Sequence, residues 1–449
     1  MSASLPLVLR TSLPLVLAQL AFAANTFATQ FFLARHSATA LQASLPGSML
    51  AVTVCAFFIN TFGYAGTLVA REHGAGDERA ADAMFAGSVL LTALSAPLFA
   101  LTAPIGIAIL GVFDTDPAVL AAEAAYFKVL LANGFFTALA AVLGGYFTGR
   151  GRTRLVGATT VFGFLLNLAI APFFIDGCGR LRVDGVIGAG WAATLAHVAP
   201  CLILAACVLR EKRLAELARP GRAELLSLLR LGVPNGLRTV LEIGGFFCFT
   251  AFLAERPAAA VAASTAAFAV NSIPYGIVQG IASALEILVG RARGRCDRNE
   301  IRQLLRAAAL LAFAIGLGYA VIVSLFTDAL LDPFLKDRGV SLAAFRETAH
   351  LLAPIIVVKA CFETMTPVLQ SALRGLGQTA AVCRIQAISS FLVWIPTYCL
   401  VRAFHPTVPA YWATMILSGV ASCALLGRAL GRMASRQRPL PPGRRTRHP

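Results

Sequence analysis

Apolar positions fill this chain in long stretches, broken by short polar segments. Twelve stretches can be marked, at roughly 12–34, 45–69, 84–110, 121–147, 156–175, 186–209, 233–254, 260–289, 304–327, 345–371, 380–402 and 408–430. Each is near the ~20 mostly apolar residues that carry a helix across a bilayer. The stretches are continuous and rich in Ala and Leu, whereas a membrane β-barrel would show short alternating strands. The pattern predicts an all-α membrane protein of twelve transmembrane helices. No polar gap is long enough to hold a soluble domain. The first stretch is full length and lacks a small-residue cleavage site followed by polar sequence, so it is expected to remain as a span and not to leave as a signal peptide.

Composition agrees with the pattern. Hydrophobic residues make up 58% and charged residues 13% of the 449, with a mean hydropathy of +0.75. A soluble domain is about a quarter charged and could not hide so much apolar surface from water.

The net charge of +16 could point to nucleic acid, but its placement argues otherwise. Taken alternately from the N-terminus, one set of polar segments holds 27 Lys and Arg and the other set 9, with Arg238 and Lys359 inside apolar stretches. This is the positive-inside signature, and it places both termini in the cytoplasm. The Arg-rich segment 431–449 reads as a basic cytoplasmic tail that attracts anionic lipid. The ten cysteines include no C-x-x-C pair and no metal spacing. Cys55, Cys201, Cys248 and Cys361 lie in apolar stretches, where Cys acts as a small hydrophobe. Cys178 lies in an outward segment, and no internal disulfide is expected.

The two halves repeat each other. LRTSLPLVLAQ at 9–19 aligns with LRLGVPNGLRT at 229–239, and TLVAREHGAGD at 67–77 with ILVGRARGRCD at 287–297, both at an offset of 220. GRGRT at 149–153 aligns with GLGQT at 375–379 at an offset of 226. A repeat of six spans enters the membrane twice in the same orientation. The halves are then related by an axis along the membrane normal, with the substrate site between them. The expected lobes are 1–215 and 216–430, joined by a basic link over 210–230. Gly74 and Gly76 are expected to close helix 2. Pro14 and Pro234 are expected in the first turn of their helices, where a missing N–H is tolerated.

The informative charges within the apolar stretches are few: Arg238 and Glu242 in helix 7, Lys359 and Glu363 in helix 10. An ionised group at the bilayer centre costs about 2.5–3.5 kcal/mol even on insertion scales, so each must face protein or water. Counting from Arg230 and Arg374, both carboxylates lie roughly 16–18 Å above the inner boundary, near the midplane of a ~30 Å core. Lys359, Glu363, Thr366 and Gln370 share one helical face, as do Asn271, Tyr275 and Gln279 in helix 8. One reading is a coupling and substrate site, with Glu242 and Glu363 able to hold a cation such as sodium. The other is a pair of (i, i+4) ion pairs that serve only stability, although a buried pair is a poor source of it. A neighbouring Lys359 ammonium suits Glu363 to a cation or substrate site better than to simple proton carriage. In the N-lobe, Asn25, Thr29, Asn60, Tyr64, Asn133 and Asn167 are neutral, and either line a pathway or bind neighbouring helices.

The segments LVAREHGAGDERAA (68–81), LGGYFTGRGRTRLVGATTVFGFLLNLAIAPFFIDG (143–177), GVIGAGWAATL (185–195), LLRLGVPNGL (228–237) and QSALRGLGQT (370–379) resemble the MATE (multidrug and toxic compound extrusion) family. That family lies within a superfamily that also holds lipid-linked oligosaccharide flippases. The resemblance covers nearly the whole chain. It implies two six-helix lobes, alternating access, and antiport driven by sodium ions or protons. It also implies an acidic role for Glu242 in helix 7, and for Glu363 where NorM-like members carry Asp. The chain departs from the family in the N-lobe. The helix 1 position that is often Asp reads Ala28, Thr29 and Gln30, and the acidic position of helix 5 is Ala171. Coupling is therefore expected in the C-lobe.

The function so implied is efflux of a small organic compound, drug or metabolite, with no enzymatic activity and no cofactor beyond a sodium ion at Glu242 and Glu363. A flippase is the alternative, since Arg238 and Lys359 would suit an anionic pyrophosphate. A membrane prenyltransferase is excluded by the absence of a D-x-x-x-D cluster on the basic segments. The expected partners are a small-molecule substrate and membrane lipid, with no nucleic acid, and the chain is expected to be a monomer. The use of 34 Arg to 4 Lys points to a GC-rich bacterial genome, and hence to the inner membrane.

Overall fold

In a bilayer core no water can satisfy a free backbone group, so apolar stretches of this length must take up their own hydrogen bonds as helices. The computed structural model describes residues 4–36, 38–111, 117–177, 185–211, 219–253, 256–331, 341–404 and 407–436. Among them there is no strand. Cys178, the linker residues 212–218 and the tail from 437 lie outside the described residues.

The N-terminal half holds α1 (Ser4–His36), α2 (Ala38–Gly63), α3 (Ala65–Ala75), α4 (Glu78–Leu94), α5 (Ala96–Leu110), α6 (Pro117–Gly149), α7 (Thr153–Ile175) and α8 (Gly185–Glu211). The C-terminal half holds α9 (Arg222–Leu253), α10 (Ala258–Gly294), α11 (Arg298–Leu331), α12 (Leu342–Gly375), α13 (Thr379–Ala387), a π-helical segment (Ile388–Trp394), α14 (Ile395–Ala403) and α15 (Val408–Arg436). α2 and α3 form one pass interrupted at Tyr64, and α4 and α5 one pass interrupted at Ser95. Ten passes are long and apolar enough to cross a membrane. With α9 and the α13 to α14 segment they make twelve.

Two expectations need correction. Pro14 and Pro234 lie inside α1 and α9, well beyond the first turn. The helices run past Arg10 and Arg230, which the charge pattern marks as boundaries, and begin at Ser4 and Arg222. Part of the expected link over 210–230 is therefore helix. A guanidinium on a long stem reaches water from inside a helix, so a charge marks the depth of the interface and not the end of the helix.

The repeat is realised in three dimensions. Gly74 packs against the backbone of Arg291, and Gly294 packs against the backbone of Arg71. Each partner is 220 residues from its counterpart, so the two contacts are one contact seen twice across a two-fold axis. Either glycine with a side chain would drive a Cβ into the opposing main chain. The turns that follow are also equivalent. Gly76 closes α3 with φ 81°, and Cys296 takes the same left-handed place with φ 59°. Asp77 Oδ1 then accepts from Ala80 N at 2.9 Å, and Asp297 Oδ1 from Glu300 N at 2.9 Å, each capping the next helix.

Each lobe has its own core. Phe58, Phe62, Phe85, Phe127, Tyr146 and Phe147 pack together in the N-lobe. In the C-lobe, Phe249, Phe345, Tyr411 and Trp412 do so. The outer surface carries side chains such as Phe27, Phe173 and Leu325, each at least 70% exposed, as lipid contact allows. The lobes meet through α1 on α10 and α2 on α9, which are equivalent contacts under the two-fold. Among the described residues the interlobe hydrogen bonds are Tyr64 Oη to Arg374 O, Thr67 Oγ1 to Glu286 Oε1, Asn235 Nδ2 to Asn60 O and Arg291 Nη2 to Gly149 O. All lie in the half of the molecule that carries the basic turns.

Candidate functional site: two ion pairs on one face of α10

α9 places Arg238 and Glu242 one turn apart, and Arg238 Nη1 lies 2.5 Å from Glu242 Oε2. The same nitrogen donates to Gln370 Oε1 of α12 at 3.1 Å, and Nη2 donates to Thr239 Oγ1 at 2.9 Å. The Arg238 side chain is 8% exposed and that of Glu242 36%. The guanidinium is therefore packed in protein while the carboxylate still reaches open space.

α12 repeats the arrangement. Lys359 Nζ lies 2.5 Å from Glu363 Oε2, and Asn271 Nδ2 of α10 donates to the same oxygen at 2.8 Å. The ammonium also lies 5.9 Å from the ring centroids of Phe268 and Trp412, a distance at which ring faces attract a cation. Pro367 follows one turn after Glu363 inside α12. It has no N–H, so the Glu363 carbonyl loses its helical donor.

α10 joins the two pairs. One turn beyond Asn271, Tyr275 Oη donates to Glu242 Oε1 at 3.3 Å and accepts from Gln279 Nε2 at 2.6 Å. Asn271, Tyr275 and Gln279 thus form one stripe that touches Glu363 at one step and Glu242 at the next. Gln370 extends the chain to Gln386 Oε1 at 3.3 Å, and Gln386 Nε2 to Ser390 Oγ at 3.3 Å in the π-helical segment. Of the C-lobe residues singled out in the sequence, Thr366 lies apart from this chain of contacts. Thr366 bonds to Phe362 O and contacts Cys423 Sγ of α15 at 3.2 Å. It stands only three residues after Glu363, about 60° round the helix from the direction of the carboxylate.

In the N-lobe, Asn167 Nδ2 donates to Asn25 Oδ1 at 2.6 Å and to Thr29 Oγ1 at 3.4 Å. This ties α7 to α1. Asn167 is 1% exposed and its Oδ1 has no partner. Tyr64 and Asn60 serve the interlobe contact described above. Ala171 is buried.

Sequence reasoning missed Glu286. Its Oε2 accepts from Arg374 Nε at 2.8 Å, while Oε1 takes the interlobe bond from Thr67. Glu286 falls in the apolar stretch 260–289, so the same test for a charge in an apolar run finds it. Gln386 and Ser390 carry no charge and give no such signal. Among the described residues no three His, Cys, Asp or Glu side chains gather as a metal site.

Two six-helix lobes around a membrane-normal axis, with paired charges in one of them, are the architecture of a polytopic membrane transporter. The chain belongs to the MatE family, whose profile matches residues 14–173 and 234–399. A relative from Pseudomonas aeruginosa named "Probable multidrug resistance protein NorM" is 27% identical over 94% of this chain and 88% of its own. One of the same name from Chromobacterium violaceum is 26% identical over 95% and 93%. Among solved structures, an outward-facing multidrug resistance MATE family transporter of the MOP superfamily superposes with a TM-score of 0.86 at 19% identity over 97% of both chains. A MOP superfamily transporter from Pyrococcus furiosus, described as having a binding pocket of reverse polarity, gives 0.85 at 20% identity over 96% of both.

Proposed function

We propose that this chain is a multidrug or metabolite efflux antiporter of a bacterial inner membrane, coupled through Glu242 and Glu363 to a sodium or proton gradient. The observation that carries this reading is the α10 stripe, which contacts both mid-membrane carboxylates on successive turns. The relatives named for multidrug resistance support the direction of transport. With the basic turns in the cytoplasm, the interlobe bonds join the lobes on the inner side, which supports an outward-open reading of the state.

Each carboxylate already holds a cation of the chain itself. A sodium ion at Glu242 or Glu363 would meet an Oε2 engaged by a guanidinium or an ammonium. Among the described residues the oxygens open to it are Glu363 Oε1 and the Glu363 carbonyl released by Pro367, with Glu242 Oε1 held only by the Tyr275 phenol at 3.3 Å. Entry of an ion, or of a proton, therefore loosens a built-in pair. The freed Arg238 or Lys359 then leaves an unpaired positive charge beside the cavity, which disfavours an organic cation there and sets ion binding against substrate binding, as antiport requires. A flippase would need free cationic groups for its pyrophosphate, and both candidates are held by carboxylates here.

Reconstituted vesicles with an imposed sodium gradient, and separately with a proton gradient, test the reading. A labelled organic cation such as ethidium should move against the gradient of one ion and stop when that gradient is collapsed. Movement indifferent to both gradients would remove the antiport assignment.

A further inference from the structure

The outer surface of a membrane helix normally offers lipid a smooth apolar face, with charges confined to its ends. The contact between α1 and α7 departs from this. Pro14 seats against Gly157, and the surface beside that contact is recessed. The recess is a groove of about 460 Å³ lined by Leu13, Pro14 and Leu17 of α1 and by α7 from Arg154 to Leu165. Leu13, Leu17, Phe162 and Leu165 are each 45–62% exposed, so the groove opens to the outside of the bundle. It lies at the level where Val16, on another face of α1, packs on Gly280. The lobes touch at that level, so the groove faces lipid and not the interlobe space.

Two guanidinium groups mark its basic end. Arg154 lines the groove. Arg10 stands three and four residues before Leu13 and Pro14, hence on the same face of α1. Both arginines are exposed, and among the described residues neither enters an ion pair. No acidic residue lines the groove.

We infer that this groove is a binding site for one anionic phospholipid of the leaflet at the basic end. Its phosphate is held between Arg10 and Arg154, and an acyl chain lies along Leu13, Leu17, Phe162 and Leu165. Charge complementarity selects the occupant: basic pockets between membrane helices recruit acidic headgroups, and the apolar walls favour a chain over a soluble anion.

Native mass spectrometry of the full chain in detergent, titrated with phosphatidylglycerol and with phosphatidylethanolamine, tests the site. Wild type should retain one phosphatidylglycerol in preference to phosphatidylethanolamine. Each of Arg10→Gln and Arg154→Gln should lower that preference about fivefold. Ala158→Trp fills the exposed wall of the groove and leaves both charges. It should abolish the retained lipid while the melting temperature in detergent stays unchanged. Equal retention of the two lipids by wild type, or undiminished phosphatidylglycerol on Ala158→Trp, would overturn the proposal. So would dimer peaks that vanish in Ala158→Trp, since they would give the groove to a second copy of the chain.

Discussion

Tyr275 donates its phenolic proton to Glu242 Oε1 at 3.3 Å, one helical turn from the Asn271 amide that holds Glu363. The phenol thus joins α10 to the α9 ion pair. Tyr275→Phe keeps the ring and removes that link, and it also leaves Gln279 Nε2 without its acceptor. The loss is roughly 1 kcal/mol. Gradient-driven export should slow severalfold with normal membrane insertion. An unchanged initial rate would place Tyr275 outside the coupling path.

The Lys359–Glu363 pair should behave asymmetrically on truncation. Lys359→Met leaves the Glu363 carboxylate, 24% exposed, with Asn271 as its remaining donor among the described residues, and should cost roughly 1–2 kcal/mol, below the ~3–5 kcal/mol of a fully buried pair. Adding Glu363→Gln should recover most of that cost, because two neutral side chains need no countercharge. Denaturation of both variants in mild detergent measures the difference. Equal losses in the single and double variants would show that the pair contributes through packing alone.

The two-fold axis makes a symmetric forecast. Gly74→Val and Gly294→Val each push a side chain into the opposing backbone, an overpacking worth about 1–3 kcal/mol. Either variant should speed hydrogen exchange in both turns, at 71–76 and at 291–296. Faster exchange confined to the mutated turn would contradict the reciprocal contact.

Much of this architecture was legible in the chain. The offset of 220 residues pairs Arg71 with Arg291 and Gly74 with Gly294, and the backbone of each arginine meets the glycine of the other repeat across the axis. The cost of burying charge singles out Glu242 and Glu363, and both belong to the same polar region. Helical period gives the shared face of Asn271, Tyr275 and Gln279. What period cannot give is the neighbour that a face meets. Glu286 and Thr67 bond across lobes, Gln386 enters from α13 and bonds to Ser390 of the π-helical segment, and Thr366 is turned onto α15 beside Pro367. The inner extensions of α1 and α9 were hidden because Arg10 and Arg230 resemble helix ends.

Cys296 occupies, with φ 59°, the place that Gly76 fills in the first repeat. A left-handed conformation costs a residue with a Cβ about 1–2 kcal/mol, partly offset by the greater chain freedom of glycine when unfolded. Cys296→Gly should therefore raise the melting temperature slightly, whereas Gly76→Ala should lower it. A fall with Cys296→Gly would mean that the thiol makes a compensating contact.

Glu242 and Glu363 are expected to carry the coupling. Glu242→Gln and Glu363→Gln keep side-chain volume and remove charge. The decisive measurement is export from reconstituted vesicles under the imposed ion gradient that drives wild type, with the inserted amount equalised. Each single variant should lose gradient-driven export while still binding the exported compound. Wild-type rates in both would contradict the claim and return the two pairs to a structural role.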